Sequence, residues 1–148
     1  MAVLRRRLTD AILMTRLHVT FLALVMTQAA HSTEEYLGRL YEVFLPARFV
    51  SGLISENLEQ GFIIFNVALV AFGLWCFFWP VRERWVAAVG LVWVWIAIEL
   101  LNGIGHPAWS LMRGGYTPGV ATAPVLLALA LYLAHQLRSY RDLASAAV

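Results

Sequence analysis

Residues 61–79 read GFIIFNVALVAFGLWCFFW, a run of 19 residues without one charged side chain. At ~1.5 Å per residue a helix of this length reaches across the ~30 Å hydrocarbon core of a bilayer. Its apolar residues are continuous rather than alternating, which excludes the pattern of a membrane-spanning β-strand. Two further runs match it: WVAAVGLVWVWIAIELLNGI from Trp85 to Ile104 and PGVATAPVLLALALYLAHQL from Pro118 to Leu137. A fourth, from about Leu17 to Glu35, is apolar at its centre and polar at its end. The sequence therefore predicts an all-α fold, a bundle of four transmembrane helices (about 17–35, 61–79, 85–104 and 118–137) in one integral membrane domain over residues 1–148. Composition agrees, because 61% of the 148 residues are hydrophobic and the mean hydropathy is +0.71, against roughly 45–50% apolar residues in soluble domains.

Arginine placement orients the spans. Arg5, Arg6, Arg7 and Arg16 precede the first, Arg82 and Arg84 lie between the second and third, and Arg138 and Arg141 follow the fourth. Basic loops stay on the cytoplasmic side, so both termini are expected there, in what the composition suggests is a bacterial cytoplasmic membrane. Trp75, Trp79 and Trp85 flank the inner turn as an interfacial belt, and Trp109 does the same on the outer side. The N-terminus resembles a secretory signal, with small residues Ala29 and Ala30 before His31, but Arg16 and His18 interrupt its apolar segment. Between the first two spans, LYEVFLPARFVSGLISENLEQ is too charged to cross and too apolar for a simple turn. It reads as an interfacial helix broken near Pro46, or as a cap over whatever lies beneath. The single cysteine, Cys76, sits in an apolar run and reads as packing.

The polar residues of the spans are not scattered. Helical spacing puts Thr20, Thr27, Gln28, His31, Glu34 and Glu35 in one sector of span one, and Glu99, Asn102, Gly103 and His106 on one face of span three. Counting rise per residue from the inner side, His31–Glu35, Asn102–His106 and Pro118–Thr122 fall at one level near the outer surface. An acid inside a span such as Glu99 costs about 2.5–3.5 kcal/mol on insertion scales, so it calls for a partner or a cavity. Asn102 and His106 are its nearest candidates.

The strings His31-Ser-Thr-Glu34-Glu35, Asn102-Gly-Ile-Gly-His106 and Pro118-Gly119-Val-Ala-Thr122 fit His-x-x-Glu-Glu, Asn-x-x-x-His and Pro-Gly-x-x-Thr. Together and in this order they resemble the HXXEE-domain family of small integral membrane proteins. The resemblance implies that His31, Glu34, Glu35, Asn102, His106, Pro118, Gly119 and Thr122 are signature positions. It brings no activity with it.

The chemistry these residues offer has two forms. His31, Glu34, Glu35 and His106 supply nitrogen and oxygen ligands for a divalent metal, zinc or iron, which would suit hydrolysis, hydration or oxidation. Without a metal, paired carboxyls with a histidine relay, Asn102 as orienting group and Thr122 on a hydroxyl or water would suit an isomerase or cyclase. The catalytic candidates are therefore His31, Glu34, Glu35, Asn102, His106, Glu99 and Thr122. The expected function is a membrane-embedded enzyme near the extracytoplasmic side, acting on a lipid-like or small apolar molecule. A non-enzymatic binder or carrier of an ion or small ligand stands as the alternative, and an assembly subunit as a third. Bland readings stay open: a solvated helix end for His31–Glu35, helix-packing glue for Thr122 and Glu99, and surface charge for Glu56 and Glu59, although Glu59 shares the Asn66 face. The expected partners are the bilayer, the apolar ligand and a second copy of the chain. No nucleic acid is expected, because eight of the arginines are explained by topology.

Overall fold

The computed structural model describes the backbone of residues 2–145 and the side chains of residues 13–139. Arg5, Arg6, Arg7 and Arg141, counted above for orientation, lie outside the described side chains. Six α-helices follow in chain order: α1 (Ala2–Leu37), α2 (Leu40–Val43), α3 (Leu45–Ile54), α4 (Leu58–Cys76), α5 (Ala88–Arg113) and α6 (Ala123–Ser145). A π-helical turn, Phe77–Val81, extends α4 around Pro80. Among the described residues there is no strand. Three helical stretches, Leu13–Leu37, Leu58–Val81 and Ala88–Arg113, are long and apolar enough to cross a membrane.

Among the element boundaries that differ from the sequence reading, two shape the site. The expected fourth span starts at Pro118, but the helix starts at Ala123. Pro118 has no N–H, and Gly119 sits at φ 90°, a conformation that side-chain-bearing residues avoid. Residues 118–122 are therefore turns, tied by Val120 N–H donating to the Thr117 carbonyl (3.2 Å) and Ala123 N–H to the Gly119 carbonyl (3.1 Å). The expected third span stops at Ile104, but α5 runs on through Pro107 to Arg113, where Gly114 at φ 68° ends it.

The segment between α1 and α4 breaks where proline chemistry puts the break. Phe44 is extended between α2 and α3, and Pro46 falls in the first turn of α3, where a missing N–H costs nothing. Asn57 caps α4 by accepting from Gln60 N–H at 3.1 Å. Helix α3 lies so close on α4 that a Cβ on Gly61 would collide with the Ser51 carbonyl.

The apolar core sits where α1, α5 and α6 meet. Phe21, Leu24 and Val25 of α1 pack on Val92, Trp95 and Ile96 of α5 and on Leu126, Ala130 and Leu133 of α6. Phe21 meets Trp95 edge to face at 6.2 Å. Large apolar side chains such as Val67, Val94, Leu101 and Leu131 face outward, a surface that hydrocarbon solvates better than water and that marks a membrane protein. Trp75, Trp79 and Trp85 are half exposed around the turn that follows α4, and Trp75 stands edge-on to Trp85 at 6.0 Å.

Candidate functional site

Above the apolar core the bundle becomes polar in two layers. The outer one joins the end of α1, the middle of α5 and the turn before α6, the three segments that the sequence put at one depth. His31 is fully buried and its ring stands edge-on to His106, centroids 4.7 Å apart. His31 Nε2 lies 3.4 Å and His106 Nε2 3.1 Å from the same oxygen, Glu35 Oε1.

The hydrogen-bond partners assign the tautomers. His106 Nδ1 is 2.7 Å from the Pro118 carbonyl, which only accepts, so Nδ1 carries the proton. His31 Nδ1 is 2.7 Å from Thr122 Oγ1. The Thr122 hydroxyl gives its own hydrogen to Glu34 Oε2 at 2.6 Å, so here too Nδ1 donates. In their neutral forms both rings then aim an Nε2 lone pair at a carboxylate oxygen. His31 Nε2 has no hydrogen-bond partner of good geometry. Three acceptors facing one another in a buried space repel unless protons or a cation sit among them. Of the described residues, His31, Glu35 and His106 form a group whose ligand atoms lie within 4.8 Å of one another, close enough to hold one metal ion. Metal-binding histidines commonly donate their other ring N–H to a fixed acceptor, as both do here.

Glu34, expected as a further ligand, faces the other way. Its Oε1 accepts from Tyr116 O–H (2.8 Å), Gly119 N–H (3.1 Å) and Ala121 N–H (3.0 Å), and its Oε2 from Thr122 N–H (2.9 Å) and the Thr122 hydroxyl. With five donors the carboxylate is saturated. It also lies at the start of α6, where exposed N–H groups favour negative charge. The Tyr116 phenol pKa is raised by partial desolvation and by the hydrogen bond and charge of Glu34, so the phenol remains a donor. Glu34 is thus a tie between α1 and α6 that holds Thr122, and through it His31.

The Pro-Gly pair acts by shape. A Cβ on Gly119 would come within 2.5 Å of the His106 ring and 2.8 Å of the His31 ring, so only glycine lets the turn close over both histidines. Pro118 packs on Gly38, where a Cβ would come within 2.6 Å of the proline ring.

The inner layer lies about two turns below His106. Glu99 is fully buried, and Asn102 Nδ2 donates to its Oε2 at 3.2 Å. The Gln28 amide, turned with its nitrogen toward Glu99, donates to both carboxyl oxygens (3.1 and 2.9 Å). The Ser32 hydroxyl gives its one hydrogen to Asn66 Oδ1 at 2.7 Å, and Asn66 donates to the Phe62 carbonyl at 3.0 Å. Asn102 and Glu99 therefore pair with each other as expected, and not with His106.

Between the layers lies a cavity of about 290 Å³. Glu35 and His106 line one part of it, Gln28, Asn66 and Asn102 another, and apolar side chains such as Phe65, Leu69 and Ile98 make its walls. Leu40, Phe44, Pro46, Ala47 and Val50, from the segment between α1 and α4, line it as well.

The structure brings together His31, Glu35, His106 and Thr122, places Asn102 and Glu99 one layer below, and leaves Glu59 outside, bonded to the Tyr36 hydroxyl at 2.7 Å on the exposed edge. Sequence reasoning assigned no role to Tyr116, Ser32 or Asn66. Asn66, a polar residue amid an apolar run, was the signal for its own case. Tyr116 offered none.

A family model described as "Protein of unknown function with HXXEE motif" matches residues 21–133, which contain every residue of the site. No curated protein and no solved structure matches the chain.

Proposed function

The chain belongs to the family of proteins of unknown function with the HXXEE motif, and we propose that it is a membrane-embedded, metal-dependent enzyme acting on a lipid-like or small apolar substrate. The observation that carries this reading is the convergence of His31 Nε2, His106 Nε2 and Glu35 Oε1 with both Nδ1 protons already committed to Thr122 and Pro118. Two histidines and one carboxylate are the donor set of hydrolytic zinc sites and of non-haem iron oxygenases. Such an ion supplies an activated water at neutral pH or a Lewis acid for a carbonyl. The chain's residues divide the remaining work. Glu35, His31 and His106 are the ligands, Glu34 and Thr122 position His31, and Asn102 and Gln28 present amide groups to a molecule in the adjoining cavity. In this reading α6 is the fourth span, both termini are on the cytoplasmic side of a bacterial membrane, and the site is near the extracytoplasmic surface. Arg16, Arg82, Arg84 and Arg138 support that orientation.

One alternative draws on the same observation. Protons on the two Nε2 atoms would satisfy Glu35 as well as a metal does, giving an acid-base site for isomerisation or cyclisation. Metal analysis of protein purified separately with zinc and with ferrous iron separates the two. About one ion per chain is expected, lost in His31→Ala and His106→Ala. No stoichiometric metal under either condition overturns the metal form and leaves the acid-base one.

A further inference from the structure

Two cavities of the protein share a wall. The 290 Å³ space described above adjoins an open groove of about 630 Å³ between α1 and α4, on the outward face of the bundle. Apolar and small side chains, among them Ala29, Ile63, Val67, Val70, Ala71 and Leu74, line the groove. Phe62 and Asn66 line both spaces, and Ser32, hydrogen-bonded to Asn66, faces the groove from α1. A buried Ser–Asn pair at the end of an apolar furrow is where a hydrocarbon chain would meet its first polar contact.

Charge narrows the class of ligand. All 11 basic residues of the chain are arginines, and none is among the described residues that line either space. Of the nearby carboxyl groups only Glu35 lines either space, and it already faces both histidines and the one ion that they would hold. An anionic head group would enter with no cation left to balance it, and burying unpaired charge is costly. Carboxamides recognise neutral groups, because they offer donors and acceptors together.

Resting on the enzyme reading above, we infer that the ligand is an uncharged single-chain amphiphile: a long-chain alcohol, aldehyde or ester. Its polar end lies in the inner cavity between Glu35–His106 and Gln28–Asn102. Its hydrocarbon chain lies in the α1–α4 groove, which meets the cavity at the shared wall of Phe62 and Asn66. Phosphorylated and carboxylated lipids are excluded by the same contacts.

The test is equilibrium binding of radiolabelled hexadecanol to the full chain in detergent, with displacement by palmitate and by hexadecyl phosphate. Saturable hexadecanol binding is expected, with the two anions at least about tenfold weaker. Ala71→Trp, which fills the groove, should weaken hexadecanol by at least about tenfold while zinc content stays unchanged. Val70→Phe repeats this test if Ala71→Trp fails to fold. Absent hexadecanol binding, anions that bind equally well, or a filled groove without effect each overturn the inference. So does a dimer that dissociates in Ala71→Trp, which would make the groove a contact between copies. Hexadecanol binding of the expected pattern in a chain that holds no metal would overturn the metal reading alone.

Discussion

Glu34 and Glu35 are neighbours in the chain and have opposite surroundings: one touches five donors of the turn before α6, the other two histidine nitrogens. Glu35→Ala should abolish metal binding. Glu34→Gln keeps the size but turns an N–H₂ toward N–H groups that need an acceptor, and a loss of about 10–100-fold in metal affinity is expected, the usual effect of removing support behind a ligand. Chelator competition measures both, and equal losses would make Glu34 a ligand after all. Gly119→Ala pushes a methyl group into the two imidazoles at φ 90°. It should cost about 1–3 kcal/mol, read as a lower thermal midpoint together with reduced metal content. At this scale the sequence revealed the cluster but not its division of labour. Residues 31, 34 and 35 share a broad helical sector, so spacing groups them. Only the turn at 118–122, more than 80 positions away, decides which carboxylate it captures.

The helices were legible because hydrocarbon demands long uninterrupted apolar runs, and these stand out in any reading of hydropathy. Their ends were less so. Pro118–Thr122 is apolar enough to pass as the start of a span, yet its backbone is irregular and its N–H groups bond to a side chain. Polar backbone at membrane depth is tolerated where protein satisfies it, and hydropathy cannot see that partner. The α5–α6 contact was equally hidden. Gly103 sits against Leu127, where a Cβ would come within 2.6 Å of the leucine Cβ and 2.9 Å of its Cα, whereas Gly105, two residues on, has open space. Gly103→Val should therefore destabilise the protein by about 1–3 kcal/mol. Gly105→Ala should be neutral or stabilise it by up to ~1 kcal/mol, since alanine is the better helix former. Thermal unfolding in detergent compares them, and similar effects at both positions would contradict the close approach of α5 and α6.

For the whole molecule, the arginine count predicts which end faces which compartment, and accessibility can check it. In a Cys76→Ser background, Gly115→Cys should react with a membrane-impermeant maleimide added to intact cells. Glu83→Cys, beside Arg82 and Arg84, should react only after lysis. The reverse pattern would put the site on the cytoplasmic side without altering its internal geometry. The tie between Glu34 and the residues 119–122 also has a consequence for how the protein is made. Translation delivers His31, Glu34 and Glu35 early and the turn that completes them late. While the intervening chain is synthesised, the first helix carries a histidine and two acids without the partners that later satisfy them. The site is finished only when the last helix is, which makes its assembly a readout of complete insertion, and a nascent chain that stalls before Thr122 is left with exposed intramembrane acids that quality-control proteases could read as unfinished.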